Sequence, residues 1–404
     1  MVPRLALNKG TPSIPRPLDE RSIAVAHLEA RLQGSLALRV LNVPDPPKLE
    51  QAGSDTKIAI LFSGGLDCTV LTRMCHDILP TQQSIDLLNV AFENPRIHSK
   101  LEGGVDAAYE LCPDRITGRA SFAELQTVFP GRSFRFIAVN IPYSETLQHR
   151  ETVISLMHPH NTEMDLSISY ALYFAARGKG VVLDNATGLP SEYTSPARVL
   201  LSGLGADELF GGYTRHATAF RRAGLSGLID ELELDVSRLG KRNLGRDDRV
   251  ISHWGKEARF PFLDETVVSW AVNAGVDEKC GFGEPAIDVD AGSAALEPGK
   301  KVLRCLAWKL GMRKVAAEKK RAVRHLSTRG ILIRREDADE MTIDPIRGAN
   351  SKDGDGKDQR NYSAVMSETL CTSPYVLDPG KQGFFCFLMH DDEGTRSSSC
   401  LRYF

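Results

Sequence analysis

The segment "KIAILFSGGLDCTVL", residues 57–71, determines how the whole chain is interpreted. An apolar run ends at Ser63-Gly64-Gly65 and a helical pattern follows, which is typical of a strand-to-helix turn. Free N–H groups at a helix start favour an anion, and glycines let that anion approach the backbone closely. Asp67 falls in the first helical turn, where a carboxylate can hold Mg²⁺ against phosphate oxygens. The segment predicts a phosphate site, although an ordinary tight turn would need only the glycines.

A second segment repeats this arrangement. In "ARVLLSGLGADELFGGY", residues 197–213, an apolar strand pattern ends in Ser202-Gly203, and the acids Asp207 and Glu208 follow. In an open parallel sheet, ligands bind outside the carboxyl ends of the strands, at the point where the strand order reverses. Loops at neighbouring strand ends would face one ligand, and two carboxylates suit a Mg²⁺ ion that bridges phosphates. Nothing in the chain fits the common triphosphatase loop G-x-x-x-x-G-K-[ST].

The order of the elements predicts an α/β fold. Strand-like and helix-like segments alternate between about residues 57 and 330, which favours a parallel sheet covered by helices, with a helical C-terminal part. Before them, residues 1–50 form a proline-punctuated leader and linker with one helical candidate, "SIAVAHLEARLQGSLALRVL". We expect the central domain to cover 51–335 and the polar, glycine-containing tail over 336–404 to be largely disordered.

Composition narrows the class of protein. The chain has 404 residues, of which 42% are hydrophobic and 25% charged, and its formal net charge is -2. This balance gives no general attraction to nucleic acid or acidic lipid, so we expect small-molecule partners. No apolar run approaches the roughly 18 residues that span a bilayer, and we expect a cytoplasmic location with reduced cysteines.

The motifs resemble those of the synthetase domain of asparagine synthetases. "SGGLDC" is similar to the family's pyrophosphatase loop SGGLD[SC], and "LLSGLGADELFGGY" to SG-x-G-x-DE-x-F-x-GY. "RDDRVISHWGKEARFPFLDE", residues 246–265, resembles the arm that runs into E-x-R-x-PFLD. "MDLSISYALYFAARG" and "GKKVLRCLAWKLG" complete a collinear match over roughly residues 58–325. Within the family, these motif sequences are most similar to those of the asparagine synthetase domain-containing proteins.

The resemblance implies a fold and a reaction. The fold would be the Rossmann-like pyrophosphatase-loop fold, similar to adenine nucleotide alpha hydrolases. In the reaction, ATP with Mg²⁺ adenylates the side-chain carboxylate of aspartate and pyrophosphate leaves. Ammonia then attacks the β-aspartyl-AMP to give asparagine and AMP.

The resemblance also implies roles for individual residues. The groups expected to hold pyrophosphate and Mg²⁺ are Ser63, Gly64, Gly65 and Asp67, with Asp207 as the second metal ligand. The residues expected to lie against the nucleotide are Leu61 and Val90 at adenine, and Ser202 and Gly203 beside them. Lys320, in "AEKKRAV", falls where the family has a lysine that neutralises phosphate. A solvated basic surface is the alternative interpretation of that segment.

Three departures from the family pattern leave alternatives open. Leu204 stands where asparagine synthetases carry the acid of SGEG, and "RAVRHLS" replaces the branch's RA-x-QFGS. Relatives that use glutamine begin with Met-Cys, whereas this chain begins Met1-Val2, so we expect free ammonia or ammonia from a separate glutaminase chain. The alternatives are a non-catalytic nucleotide-binding scaffold, or a ligase that acts on another carboxylate.

Overall fold

The computed structural model describes residues 6–13, 16–45, 56–95, 104–183, 188–285 and 292–319. These residues belong to the larger of the two units into which the chain divides, residues 5–332. Its sheet is formed by β1 (Ile58–Leu61), β2 (Ile85–Phe92), β3 (Phe134–Ile141), β4 (Lys179–Leu183), β5 (Pro190–Thr194), β6 (Val199–Leu201) and β7 (Glu257–Arg259). The spatial order of these strands is β5-β4-β3-β2-β1-β6-β7.

The sheet is mostly parallel. Strands β3, β2, β1, β6 and β7 pair in parallel, whereas β4 pairs antiparallel with both β3 and β5. The expectation of a parallel sheet is therefore correct for five strands and wrong for the two at one edge. For β5 the reason is the short connection between Leu183 and Pro190, because parallel neighbours need a crossover of a dozen or more residues. The antiparallel pairing of β4 with β3 has no such local cause, since a long helical segment separates these two strands.

Helices cover both faces of this sheet. Before the second motif loop they are α1 (Ile23–Val40), α2 (Leu66–Ile78), α3 (Gly104–Glu110), α4 (Pro113–Val128), α5 (Tyr143–Gln148), α6 (Arg150–Met157) and α7 (Glu163–Arg177). After it come α8 (Ala206–Phe210), α9 (Thr214–Leu239), α10 (Gly245–Ser252), α11 (Glu265–Asn273), α12 (Lys301–Lys309) and α13 (Arg313–Ala317). Helix α9 is interrupted at Ala223 and Gly224, whose backbone angles are not helical.

The alternation of side chains along the strands divides the core between the two faces. In β1, Ile58 and Ile60 join the cluster under α1, α2, α11 and α12, while Ala59 joins the cluster under α7 and α10. Successive residues of a strand point to opposite faces, so a strand with helices on both sides must be apolar throughout. This is why "IAIL" is uninterrupted immediately before the polar loop.

Helix α1 is part of the first cluster. Its residues Leu28, Leu32 and Leu36 are completely buried, and the helix packs against α2, α11 and α12. At its C-terminal end Arg39 forms an ion pair with Asp264 at 2.8 Å. The helix expected within residues 1–50 is therefore formed, with one side buried in the core, whereas the domain boundaries at 50 and 335 stay predictions. The tail over 336–404 lies outside the described residues.

Five cysteines fall within the described residues and all are free thiols. Burial raises the pKa of Cys75 to about 12, so this thiol stays protonated at neutral pH. Within the same part of the chain, no helix is both long enough and apolar enough to cross a bilayer.

We expect Leu32→Ala to lower the free energy of unfolding by about 2–5 kcal/mol, because it leaves a cavity under the sheet. Leu38→Ala is the matched control on the same helix, since Leu38 is 75% exposed, and it should change stability by less than about 0.5 kcal/mol. Urea unfolding of both variants measures this difference. Equal effects would contradict a structural role for α1.

Candidate functional site

The first motif loop joins β1 to α2 and lies at the carboxyl end of the sheet. Gly64 has φ +81°, and a Cβ there would lie 2.5 Å from the backbone of Gly118 in α4. Gly65 directly precedes α2, and its N–H donates to the Ser63 hydroxyl over 3.4 Å at an exposed position. The start of α2 therefore presents backbone donors to solvent, as an anion site requires.

The second motif loop lies directly beside the first, because β6 pairs with β1. A Cβ on Gly203 would lie 2.9 Å from the Cβ of Asp67, so the two loops are in contact only because residue 203 is glycine. Gly205 has φ +103°, and a Cβ there would overlap the Leu263 side chain at 2.4 Å. The expectation that two loops meet at neighbouring strand ends agrees with this geometry.

A lysine that the sequence analysis did not assign joins the two acids. The Lys300 ammonium lies 2.8 and 2.7 Å from the two carboxylate oxygens of Asp67, and 2.8 Å from Oδ1 of Asp207. We call Asp67, Lys300 and Asp207 the ion cluster. It connects the helix after β1, the helix after β6 and the residue that precedes α12.

The backbone around the ion cluster is closely constrained. Lys300 has φ 55°, the one positive value among the non-glycine residues that the structure describes, and its N–H donates to the Phe210 carbonyl at 2.9 Å. Positive φ costs free energy in a residue with a Cβ, so surrounding contacts must maintain it. A Cβ on Gly212 would lie 1.8 Å from Oδ1 of Asp207 and 2.2 Å from Cε of Lys300. Only glycine fits at that position.

The electrostatics of the cluster favour a charged lysine. Burial alone would lower the pKa of Lys300, but the charges of Asp207 and Asp67, and the hydrogen bonds to them, raise it above its ordinary value. Lys300 is therefore an ammonium at any physiological pH. One ammonium and two carboxylates leave the cluster with a formal charge of minus one.

The arrangement fits a divalent cation that is held together with phosphate. Asp67 and Asp207 approach one cationic group, and they are 21% and 23% exposed. Among the described residues no group of three or more acidic, histidine or cysteine side chains could hold a metal alone. Mg²⁺ commonly takes one or two carboxylates and completes its octahedron with waters and substrate phosphates. The two carboxylates are suited to that kind of site.

The other residues expected at the nucleotide lie nearby, with one exception. Leu61 ends β1, and Val90 lies in the neighbouring strand β2; both are half-buried. Lys320 lies outside the described residues. The chain before it is held by Arg304, whose guanidinium donates to the carbonyls of Ala316 and Glu318 at 2.7 Å.

Leu204 has an apolar environment. It is half-buried and packs on the cluster under α10, together with Leu244, Trp254 and Leu263. Its N–H donates to the Ser202 hydroxyl at 3.2 Å, so the loop keeps its local hydrogen bonding without an acid at 204. The position where the family pattern has an acid is therefore apolar in this chain, while the backbone N–H of Leu204 is hydrogen-bonded.

A buried polar network supports the second loop. The sequence alone did not indicate it. The Tyr213 hydroxyl donates to Glu208 at 2.7 Å, and the Tyr213 N–H donates to Nδ1 of His216 at 3.1 Å. Nε2 of His216 lies 2.8 Å from Asp235. Burial raises the pKa of Glu208, although the hydrogen bond from Tyr213 opposes this. The terminal Gly-Tyr of the motif thus holds the turn after Asp207 in place.

Sequence comparisons with known proteins identify the domain family. A sequence model of the asparagine synthase family matches residues 186–230 and 221–339. Asparagine synthetase domain-containing protein 1 of Gallus gallus is 38% identical over 294 residues, which is 66% of this chain and 44% of the relative. The Mus musculus protein of that name is 36% identical over 329 residues, or 75% of this chain and 51% of the relative. Asparagine synthetase B [glutamine-hydrolyzing] of Escherichia coli matches over 89 residues at 35% identity, 22% of this chain and 15% of the relative.

The mixed α/β fold is consistent with an asparagine synthase-like domain, and the chain belongs to that domain family, whose sequence model matches the second motif loop and the residues that follow it. More narrowly, it is similar to the asparagine synthetase domain-containing proteins, so the resemblance seen in the motifs is confirmed. The chain spans about half the length of the curated relatives that it matches.

We expect Lys300→Met to destabilise the protein, because two adjacent carboxylates lose the cation between them. Breaking a buried pair costs about 3–5 kcal/mol, and partial exposure of the acids places the loss toward the lower figure. Adding Asp67→Asn should recover part of the loss, since one carboxylate fits better than two without the cation. A double-mutant cycle by chemical denaturation measures the coupling, and additive effects would contradict the ion cluster.

Proposed function

We propose that this domain is an ATP-dependent ligase that activates the side-chain carboxylate of aspartate as an adenylate and converts it to the amide with ammonia. The observation that carries the proposal is the ion cluster, with Asp67 and Asp207 on two loops that open at neighbouring strand ends. A loop that presents backbone N–H groups at a helix start, together with a lysine and two carboxylates, suits a polyphosphate and its metal.

Each part of the site has a task in this reaction. The Ser63 hydroxyl and the N–H groups at the start of α2 would bind the β- and γ-phosphates. Asp67 and Asp207 would hold Mg²⁺, which supplies charge neutralisation for the departing pyrophosphate. Lys300 would keep the two loops together and add a positive charge beside the same phosphates. Catalysis in this step rests on positioning and electrostatics.

The two steps place different demands on the chain. In the first, a carboxylate oxygen of aspartate bonds to the α-phosphorus, and the bond to the bridging oxygen breaks with pyrophosphate as the leaving group. In the second, ammonia bonds to the acyl carbon, AMP leaves, and the nitrogen loses a proton. Only the second step needs a base, and the apolar wall at Leu204 provides none.

The same observation favours a second candidate function. A domain that binds nucleotide with Mg²⁺ and lacks the acid at 204 could act as a scaffold without turnover. The carboxylates at 67 and 207 serve Mg²⁺ binding in either case, so we prefer the ligase because the family model that matches the chain is that of asparagine synthase. The nitrogen in the ligase proposal comes from ammonia, either free or released by a separate glutaminase chain.

We expect Asp67→Asn and Asp207→Asn each to weaken the binding of ATP with Mg²⁺ by about tenfold or more, the effect of losing one charged contact. The matched control is Asp77→Asn, also on α2, where the acid pairs with Arg73 at the surface. Calorimetric titration compares the four proteins. Equal affinity in parent and both site variants would contradict the proposed metal and phosphate site.

Product analysis then separates the ligase from the scaffold. The parent is incubated with ATP, Mg²⁺, aspartate and ammonium, and AMP, pyrophosphate and asparagine are measured. The ligase predicts all three products and an ammonium dependence of asparagine formation. Nucleotide binding with no product would instead favour the scaffold, and pyrophosphate release with no asparagine would indicate either a second step stalled for lack of a base at 204 or another acceptor or acid.

We expect Leu204→Glu to raise the rate of asparagine formation more than the rate of pyrophosphate release, because it restores an acid where amination needs a base. General bases typically contribute about 10²–10⁴-fold. Leu204→Gln is the matched control of similar shape without charge, and thermal melting shows whether each variant is folded. A folded Leu204→Glu protein with no gain over Leu204→Gln would show that another group carries the proton.

A further inference from the structure

The carbonyl of Gly64 is turned away from the open side of its loop and into helix α4. Its oxygen accepts a buried hydrogen bond from the Ser121 hydroxyl at 2.6 Å. The peptide between Gly64 and Gly65 is trans, so its C=O and its N–H point in opposite directions. Anchoring the carbonyl inward therefore directs the Gly65 N–H outward, which agrees with its exposed contact to Ser63.

Two consecutive glycines do not select this orientation by themselves. Glycine adopts positive and negative φ at similar cost, so the 64–65 peptide could rotate at little expense. The opposite orientation would present a carbonyl oxygen, with partial negative charge, where the first loop meets an anion. A donor inside the protein is needed to fix the direction, and Ser121, only 2% exposed, is that donor.

Helix α4, which carries Ser121, packs directly against the first motif loop. Gly118, one turn earlier, lies against Gly64, and a Cβ on it would lie 2.5 Å from Nδ2 of Asn89. That same amide nitrogen donates to the carbonyls of Phe62, at 2.9 Å, and Asp114, at 3.0 Å. Asn89 thereby ties the end of β1 to the start of α4.

The orientation of the Asn89 amide is fixed in turn by a buried arginine. Nε of Arg115 donates to Oδ1 of Asn89 at 2.7 Å, and Nη2 donates to Oδ1 of Asn140 at 2.8 Å. Its third partner is Glu110, at 2.8 Å, and the arginine side chain has no exposed surface. The contacts run without a break from Arg115 through Asn89 to the loop that Ser121 anchors.

We propose that Ser121 is a positioning residue that orients the Gly64–Gly65 peptide so that the Gly65 N–H binds a phosphate oxygen of the substrate. The proposal rests on the proposed function, since it requires a polyphosphate at the first loop. Ser121 touches no substrate itself. Its effect is confined to the phosphate end of the ligand, and the nucleoside end should not depend on it.

The experiment compares Ser121→Ala with Thr127→Ala, a control on the same helix whose hydroxyl bonds to the exposed Ala123 carbonyl. Affinities for inorganic pyrophosphate with Mg²⁺ and for adenosine are measured by calorimetry. We expect Ser121→Ala to weaken pyrophosphate binding by about tenfold or more and to leave adenosine binding unchanged. Thr127→Ala should match the parent for both ligands.

Two outcomes would overturn the inference while leaving the proposed function intact: unchanged pyrophosphate affinity in Ser121→Ala, or equal losses for pyrophosphate and adenosine. A parent that binds neither pyrophosphate nor ATP would remove the proposed function, and the inference with it. If Ser121→Ala does not fold, the parent labelled with ¹⁵N-glycine decides. Its Gly65 amide signal must move when pyrophosphate is added, whereas that of Gly34 in α1 must not, and an unmoved Gly65 signal would refute the proposal.

Discussion

One ammonium between two carboxylates is the interaction on which the rest of this site depends. Residues 67, 207 and 300 are far apart in the chain, yet all three charges meet within hydrogen-bonding distance. The surplus of one negative charge has a physical consequence for ligand choice. It attracts a divalent cation and repels bare phosphate oxygens, so a polyphosphate should bind better when a divalent cation lies between it and the carboxylates.

Small residues are placed where the ion cluster leaves no space. Gly203 allows one loop to touch Asp67, and Gly212 leaves room for the Asp207 carboxylate and the Lys300 stem. Lys300 itself is held in a backbone conformation that is unfavourable for a side chain of its size. Close packing of this kind keeps the carboxylates where they are before a ligand arrives, so little reorganisation is needed on binding.

Much of this arrangement could be predicted from sequence, for reasons that are local. Uninterrupted apolar strands followed by Ser-Gly and an acid identify both loops, and the sheet then brings them together. Lys300 could not be found in this way, because "EPGKKVLR" has no local pattern that shows which of two adjacent lysines, both buried, joins the acids. The hairpin of β4 and β5 was missed because its residues are mostly exposed and lack a clear alternation. Lys320 and the tail stay predictions.

Helix α1 contacts the two helices next to the ion cluster. It packs against α2, which carries Asp67, and against α12, which Lys300 precedes. A ligand that stabilises those two helices should, by thermodynamic linkage, also stabilise the packing of α1 against them. Helix α1 itself contributes no residue to the ion cluster. The backbone amides around Leu32 should therefore exchange with deuterium more slowly when the site is filled. Slower exchange at this helix would therefore show that the site is occupied, although α1 itself has no residue in it.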